Sequence, residues 1–350
     1  MLFRSDMALT NFPNGITSFG VPVIGGMNGI PLTGTWYFVN PATGSDGNEG
    51  TSPESPFATI YQAYNKCVAG NNDVVVLIGN GSTSGTARMS TALAQSVDST
   101  ATTGTITWAK NATHLIGVTA PTGVSNRARF APPTGTYTAA TFGNSGNMFN
   151  VTASGCIFAN FSVYAGFSTG NASQVAWIEN GGRNYYADIQ FGGFEDTASA
   201  QGANARALKV TGTGENTFVN CTVGQDTVTR TVANANLELA GATPRNKFIN
   251  CDFPIMTSSA TTLGIVGTGA GAIDRWTKFQ NCLFFNAVDS TSTTITAVAS
   301  LNAAAGGSLV FNNCSAVGAT KWGDAGALAN SYVDNAPPTA ATSGLAVNPA

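Results

Sequence analysis

The stretch "NTFVNCTV", Asn216 to Val223, is followed by "NKFINCDF" (246–253), "TKFQNCLF" (277–284) and "LVFNNCSA" (309–316). The cysteines of the four Asn-Cys pairs stand at 221, 251, 282 and 314, at intervals of 30, 31 and 32 residues. A self-similar period of this length signals a repeat architecture. Two earlier segments fit the same frame: "IFANFSV" (157–163) puts Phe161 in the cysteine column, and "YYADIQF" (185–191) puts Ile189 there. Upstream of each pair lies another short apolar run: "VAWIEN" (175–180), "RALKV" (206–210), "NLELA" (236–240), "LGIVG" (263–267) and "TITAVAS" (294–300). Turns rich in Gly, Thr and Asn join the two runs, and no helical period intervenes. One repeat therefore reads as strand, turn, strand, variable loop. Strands this short cannot bury a face alone, but stacked coils can.

The pattern predicts an all-β fold, a right-handed parallel β-helix of seven or so coils. Coils stacked about 4.8 Å apart turn each sequence column into a ladder of like residues. Phe218, Phe248, Phe279 and Phe311 should share one face. Asn220, Asn250, Asn281 and Asn313 should mark a bend and bond from coil to coil through their amides. Cys221, Cys251, Cys282 and Cys314, one residue on, should point inward as small apolar fillers. Buried free thiols are the expectation. A disulfide between coils is the alternative, because the coil spacing lies within the Cα range of about 4.4–6.8 Å that a bridge needs.

The composition narrows the function. Of 350 residues only 9% are charged, with 15 basic and 18 acidic side chains, against roughly 25% in an ordinary soluble protein. So uncharged a surface suits a chain that works inside a larger assembly. There is no basic run, so nucleic acid is not an expected partner. No apolar run approaches the roughly 18 residues of a membrane span, and "MLFRSDMALT" lacks the core of a signal peptide. Met7 is as good a start as Met1.

Residues 36–78 carry a second signal. "WYFV" reads as a strand, and "NPATGSDGNEGTSPES" as a loop of turn formers. Ser55 reads as an N-cap, with Pro56 at the first helical position. Phe57, Ile60, Tyr61, Tyr64 and Val68 then form one apolar stripe that Gly70 ends. The Val39-Asn40 strand end, the Gly44–Thr51 loop and the Pro56–Ile60 helix start resemble the N-terminal cap of the pectate-lyase-like superfamily of right-handed β-helices. "HLIGVTAP" (114–121) resembles an early coil of that superfamily. The resemblance implies the architecture over roughly residues 36–320, and a fold does not by itself imply a function.

From Met7 to Ser45 there is no charged residue and no histidine. Phe12, Phe19, Val21, Pro22, Val23 and Ile24 are set among Gly, Pro and Asn, which excludes a long helix. The segment either packs on its own β-helix or is an arm that orders on another subunit. "NFPNGITSFGVPV", followed by a β-helix, is similar to a group of tailed-bacteriophage virion proteins encoded among head genes. That resemblance implies a capsid decoration or cement protein on the virion surface, assembled in the host cytoplasm, with the major capsid protein as partner. By analogy with side-by-side β-helices it also implies a homotrimer. The expected organisation is a docking arm over 1–35, a β-helix over 36–322 with a capping helix at about 55–69, and a tail over 323–350. The alternative is a phage tailspike or tail fibre that binds or cleaves host polysaccharide, with Trp177, Trp276 and Trp322 available for stacking. A third reading is a secreted pectate-lyase-like enzyme.

For chemistry the inventory is thin, and the expectation is no enzyme and no cofactor. The single histidine, His114, sits in an apolar strand. Glu179, Lys209 and Glu238 are expected as an outward row on successive coils, a charge ladder. A lysine beside such a carboxylate would depress its pKa, the wrong direction for a proton donor. The loop with Asp46, Asn48 and Glu49 is rich in oxygen ligands but lacks EF-hand spacing, and reads as a turn. "GTGAG" (267–271) precedes no helix and is no phosphate loop.

Overall fold

The computed structural model describes residues 17–18, 21–22, 33–79, 89–91, 106–131, 147–164, 175–193, 202–286, 292–302, 306–324 and 331–333. Three parallel sheets run the length of the stack. Sheet I has ten strands from Trp36–Val39 to Ser331–Val333, sheet II eight from Met89–Thr91 to Ser315–Val317, and sheet III seven from Ile106–Trp108 to Ala299–Leu301. From Ile106 to Val317 the chain visits them in the order III, I, II, coil after coil. This is the right-handed parallel β-helix expected. Strand Ser331–Val333 pairs with Leu309–Phe311, so the stack reaches into the segment expected as a tail.

The columns explain the repeat. Phe158, Tyr186, Phe218, Phe248, Phe279 and Phe311 are in register along sheet I and fully buried. Their rings stack at 5.1, 4.5, 4.5, 5.0 and 5.1 Å between centroids. Trp322 covers the last of them at 4.8 Å.

Sheet I turns into sheet II at a two-residue corner. Its first residue is left-handed: φ is 53° at Asn220 and Asn250, 54° at Asn281 and 51° at Asn313. Asparagine enters this region at little cost. Its amide also does a second job: Asn250 Nδ2 donates to Asn220 Oδ1 (3.4 Å), Asn281 to Asn250 (3.1 Å) and Asn313 to Asn281 (2.8 Å). The corner's second residue points inward. Cys221, Cys251 and Cys282 are buried, Cys314 is half-buried, and all six cysteines are free thiols.

The N-terminal end is covered by helix α1, Ile60–Lys66, shorter than the 55–69 expected, with Thr59 rather than Ser55 as its N-cap. The physical reason is Asp46, whose Oδ1 accepts from the amides of Ala58 (3.0 Å) and Thr59 (2.9 Å) and whose Oδ2 accepts from Thr59 Oγ1 (2.8 Å). These bonds hold the preceding chain extended and give the helix start an anion. At the other end Lys110 Nζ donates to the carbonyls of Tyr64 (2.8 Å) and Cys67 (2.8 Å), which satisfies terminal acceptors. Phe57, Ile60 and Tyr64 are buried, but Val68 is exposed and leaves the expected stripe.

Of the arm, Val21 and Pro22 pair antiparallel with Thr17 and Ser18. Phe12, Phe19, Val23 and Ile24 lie outside the described residues.

Candidate functional site

The charges of sheet III form the candidate site, with Arg206 and Glu238 buried and Lys209 partly exposed, and their register differs from the expected row. Lys209 stands beside Glu238, but its neighbour on the preceding coil is Ile178; Glu179 pairs with Val210 and faces the core. The row Glu179–Lys209–Glu238 is therefore corrected to Ile178–Lys209–Glu238. A shift of one residue along a strand exchanges the two faces of the sheet.

Arg206, on the same strand as Lys209, is the second cation beside Glu238. Glu238 is flanked by Lys209 Nζ at 2.8 Å from Oε1 and by Arg206 Nε at 3.2 Å from Oε2. Thr268 Oγ1 donates to Oε1 at 2.8 Å from the next coil. Burial alone would raise the Glu238 carboxyl. The bonds from Lys209 and Thr268 and the two positive charges outweigh it and hold the group below the ordinary carboxylate range. Val175, Asn204, Arg206, Lys209, Glu238 and Thr268 line a cleft of about 210 Å³. That is less than the roughly 300–1,000 Å³ of a pocket that encloses a small molecule. Glu238, kept ionised, can accept hydrogen bonds or a proton. It is not held protonated to donate one.

Glu179 has a different chemistry. It is fully buried. Oε1 accepts from the amides of Gly181 (3.0 Å) and Gly182 (2.6 Å), Asn184 Nδ2 lies at 3.2 and 3.1 Å from the two oxygens, and the Tyr186 hydroxyl donates to Oε2. Burial pushes its carboxyl up to about 7 even against these four donors. His114 is also buried; its Nδ1 accepts from the Ile157 amide at 3.0 Å, and burial pulls its pKa down to about 4. Both groups stand in the fold as neutral species near pH 5.5.

Other expected residues fall elsewhere. Trp177 and Trp322 are core, and only Trp276 is partly exposed. Asp46 serves the helix start, and no group of three or more His, Cys, Asp or Glu side chains among the described residues is arranged to hold a metal. A second charged column gives no signal in the sequence: Glu215 takes Arg183 Nε at 2.8 Å on one coil and the Arg245 guanidinium on the next. All three have left-handed φ of 57°, 61° and 50°, so they mark the same corner between sheets III and I.

No family model matches the chain, and no curated protein matches it significantly. Solved structures do share the architecture. A pectate lyase superposes with a TM-score of 0.51 at 15% identity, over 80% of this chain and 62% of the lyase. A pectin methylesterase crystallised with a hexasaccharide gives 0.51 at 16% identity, over 87% and 91%. This chain thus spans less than two thirds of that lyase, and identities this low establish the fold alone. They still correct one expectation. The thin chemical inventory predicts no enzyme, yet the scaffold is one on which a lyase and an esterase work, so that exclusion does not hold.

Proposed function

We propose that this chain is a virion β-helix of the tailspike kind, which binds polysaccharide across the outer face of sheet III. The observation that carries the reading is the cleft at Arg206, Lys209, Glu238 and Thr268. The Lys209 ammonium, the Thr268 hydroxyl and the ionised Glu238 meet there, with Asn204, Arg206 and apolar Val175 in the lining. A hydroxyl-rich ligand needs donors and acceptors together in this way. The solved structures of like fold include a pectin methylesterase in complex with a hexasaccharide, which supports a sugar ligand on such a scaffold.

The test is a glycan array of bacterial surface polysaccharides probed with the full chain, followed by calorimetry with the best ligand. Lys209→Ala should weaken binding at least tenfold, since a hydrogen bond to a charged group contributes about 1.5–3 kcal/mol. The far-ultraviolet spectrum should not change. Equal affinity in this variant would overturn the assignment of the cleft. Product analysis of the same incubations reports whether the bound chain is also cut.

A second reading is favoured by one observation, the absence of charge from Met7 to Ser45. On it the protein is a capsid cement, a homotrimer whose arms dock on the major capsid protein. Copy number and position on purified particles separate the two: hundreds of copies over the head for cement, a few tens at the tail for a spike.

A further inference from the structure

The outer face of sheet II carries a buried cation with two unused donors. Phe130, Val163 and Phe191 are register partners on successive coils, and Val163 and Phe191 lie in the core. Arg129, Ser162 and Gln190, one residue earlier on each strand, therefore stand on the outside of the sheet. They are nonetheless buried, Arg129 to 5% exposure. The chain at Ser125 and Asn126 crosses this face: Ser125 N donates to Gln190 Oε1 at 2.7 Å and Asn126 N to Ser162 Oγ at 3.1 Å.

The acceptors on the following coils are committed to one another. Gln190 Oε1 also takes the Ser162 hydroxyl at 3.3 Å and the Tyr164 hydroxyl at 2.8 Å. Arg129 gains nothing from this network. Its Nε and Nη2 are buried without a hydrogen-bond partner, and no ion pair among the described residues includes it. The guanidinium lies over the Tyr164 ring, 5.6 Å from the centroid. That ring is held by its hydroxyl and by Gly192, where a Cβ would come within 2.4 Å of Tyr164 Cδ1. A ring face attracts a cation, but it leaves the two N–H groups without an acceptor.

The identity of the two donors matters. Nε–H and Nη2–H leave the same edge of the guanidinium, side by side, and match two oxygens on one carbon, sulfur or phosphorus. A buried charge is costly unless it is both paired and hydrogen-bonded, and a buried donor without a partner calls for a specific explanation.

We propose that Arg129 is an oxyanion-binding residue, whose Nε–H and Nη2–H fork holds two oxygens of a carboxylate, sulfate or phosphate on the outer face of sheet II, with the Tyr164 ring supporting the guanidinium. The site belongs to a different sheet from the cleft at Glu238 and does not depend on what binds there. Its ligand is a free inorganic anion or a carboxylate carried by a larger partner, and both present the same paired oxygens.

The test is equilibrium dialysis of the full chain against radiolabelled sulfate, phosphate and acetate, with chloride holding the ionic strength constant. The natural chain should take up one oxyanion per chain, saturably, at low-millimolar concentration or below. Arg129→Lys keeps the charge but loses the fork and should bind at least tenfold more weakly. Arg129→Met should show no saturable uptake. Thermal unfolding gives a second readout. The anion should raise the Tm of the natural chain more than that of Arg129→Met, because only the former binds it, whereas the general effect of sulfate on burial is common to both. Uptake of sulfate or phosphate would support the proposal with a free anion as ligand, and uptake of acetate alone would support it with a partner's carboxylate. No saturable uptake of any of the three by the natural chain would overturn it, whether or not the variants fold. Equal uptake by the natural chain and Arg129→Met would overturn it as well.

Discussion

Replacing Glu179 by glutamine should change how stability depends on pH, and in a direction that involves His114. The Glu179 carboxyl is raised from 4.5 to about 7 in the fold, first by burial. The unfolded chain therefore releases this proton as pH rises from about 4.5, while the folded chain keeps it. Stability from this group is full below pH 4.5 and is lost as pH climbs to 7. At 1.36 kcal/mol per pKa unit the loss is about 3 kcal/mol. His114 runs the other way. Its pKa falls from 6.5 to about 4, again first through burial. Its contribution is full above pH 6.5 and is lost as pH falls toward 4, again by about 3 kcal/mol.

Near pH 5.5 the folded chain holds a proton on Glu179 and none on His114, and the unfolded chain holds the reverse. The two slopes cancel, so these groups leave the natural chain nearly flat between pH 4.5 and 6.5. Glutamine keeps an oxygen for the amides of Gly181 and Gly182 and does not ionise. In Glu179→Gln the His114 slope should emerge: stability rises by about 3 kcal/mol from pH 4 to 6.5 and holds its gain above pH 7. Urea unfolding followed by fluorescence at half-unit pH steps measures this. Parallel curves for the two proteins would refute the reasoning, because they would mean that Glu179 ionises alike in both states.

Three further outcomes are expected. Phe248→Ala removes a ring stacked at 4.5 and 5.0 Å between Phe218 and Phe279 and should cost about 3–5 kcal/mol in urea unfolding; a loss under 1 kcal/mol would mean that the core closes over the gap. Asn250→Ala should cost about 1–3 kcal/mol, since it breaks two ladder bonds and strains a left-handed residue, whereas Asn250→Gly should cost less because only the bonds go. The native chain should be nearly inert to a thiol reagent at pH 8 and show six thiols once unfolded: Cys67 is raised to about 12, chiefly by burial, and Cys282 to about 12, chiefly by the Cys251 thiol beside it.

Much of the fold is legible in the sequence because a β-helix converts sequence period into spatial neighbourhood. Phe161 and Ile189 share the cysteine column, as the frame predicts, since Ser162, Gln190 and Thr222 are successive partners one residue on. The corner between sheets I and II keeps a length of two residues along this column. With no room for slippage, a register read from the Asn-Cys pairs is the register of the structure. The helix start is less legible, because its true N-cap depends on Asp46, 13 residues upstream.

The candidate site lies where that logic fails. Between sheets II and III the connections vary in length, so alignment of the sheet III strands cannot be counted from the corner. "VAWIE" and "RALKV" look alike. The pairing of Ile178 with Lys209 sends Glu179 inward, and the pairing of Lys209 with Glu238 brings Arg206 to that carboxylate. Residue order is enough to establish the repeat, the aromatic and asparagine ladders and the register from sheet I to sheet II, because each rests on neighbours at a constant spacing. Which charges meet on sheet III, and which carboxylate is buried, emerges only when the coils are stacked. Side chains alternate faces with a period of two, and one residue of offset turns a surface group into a core group.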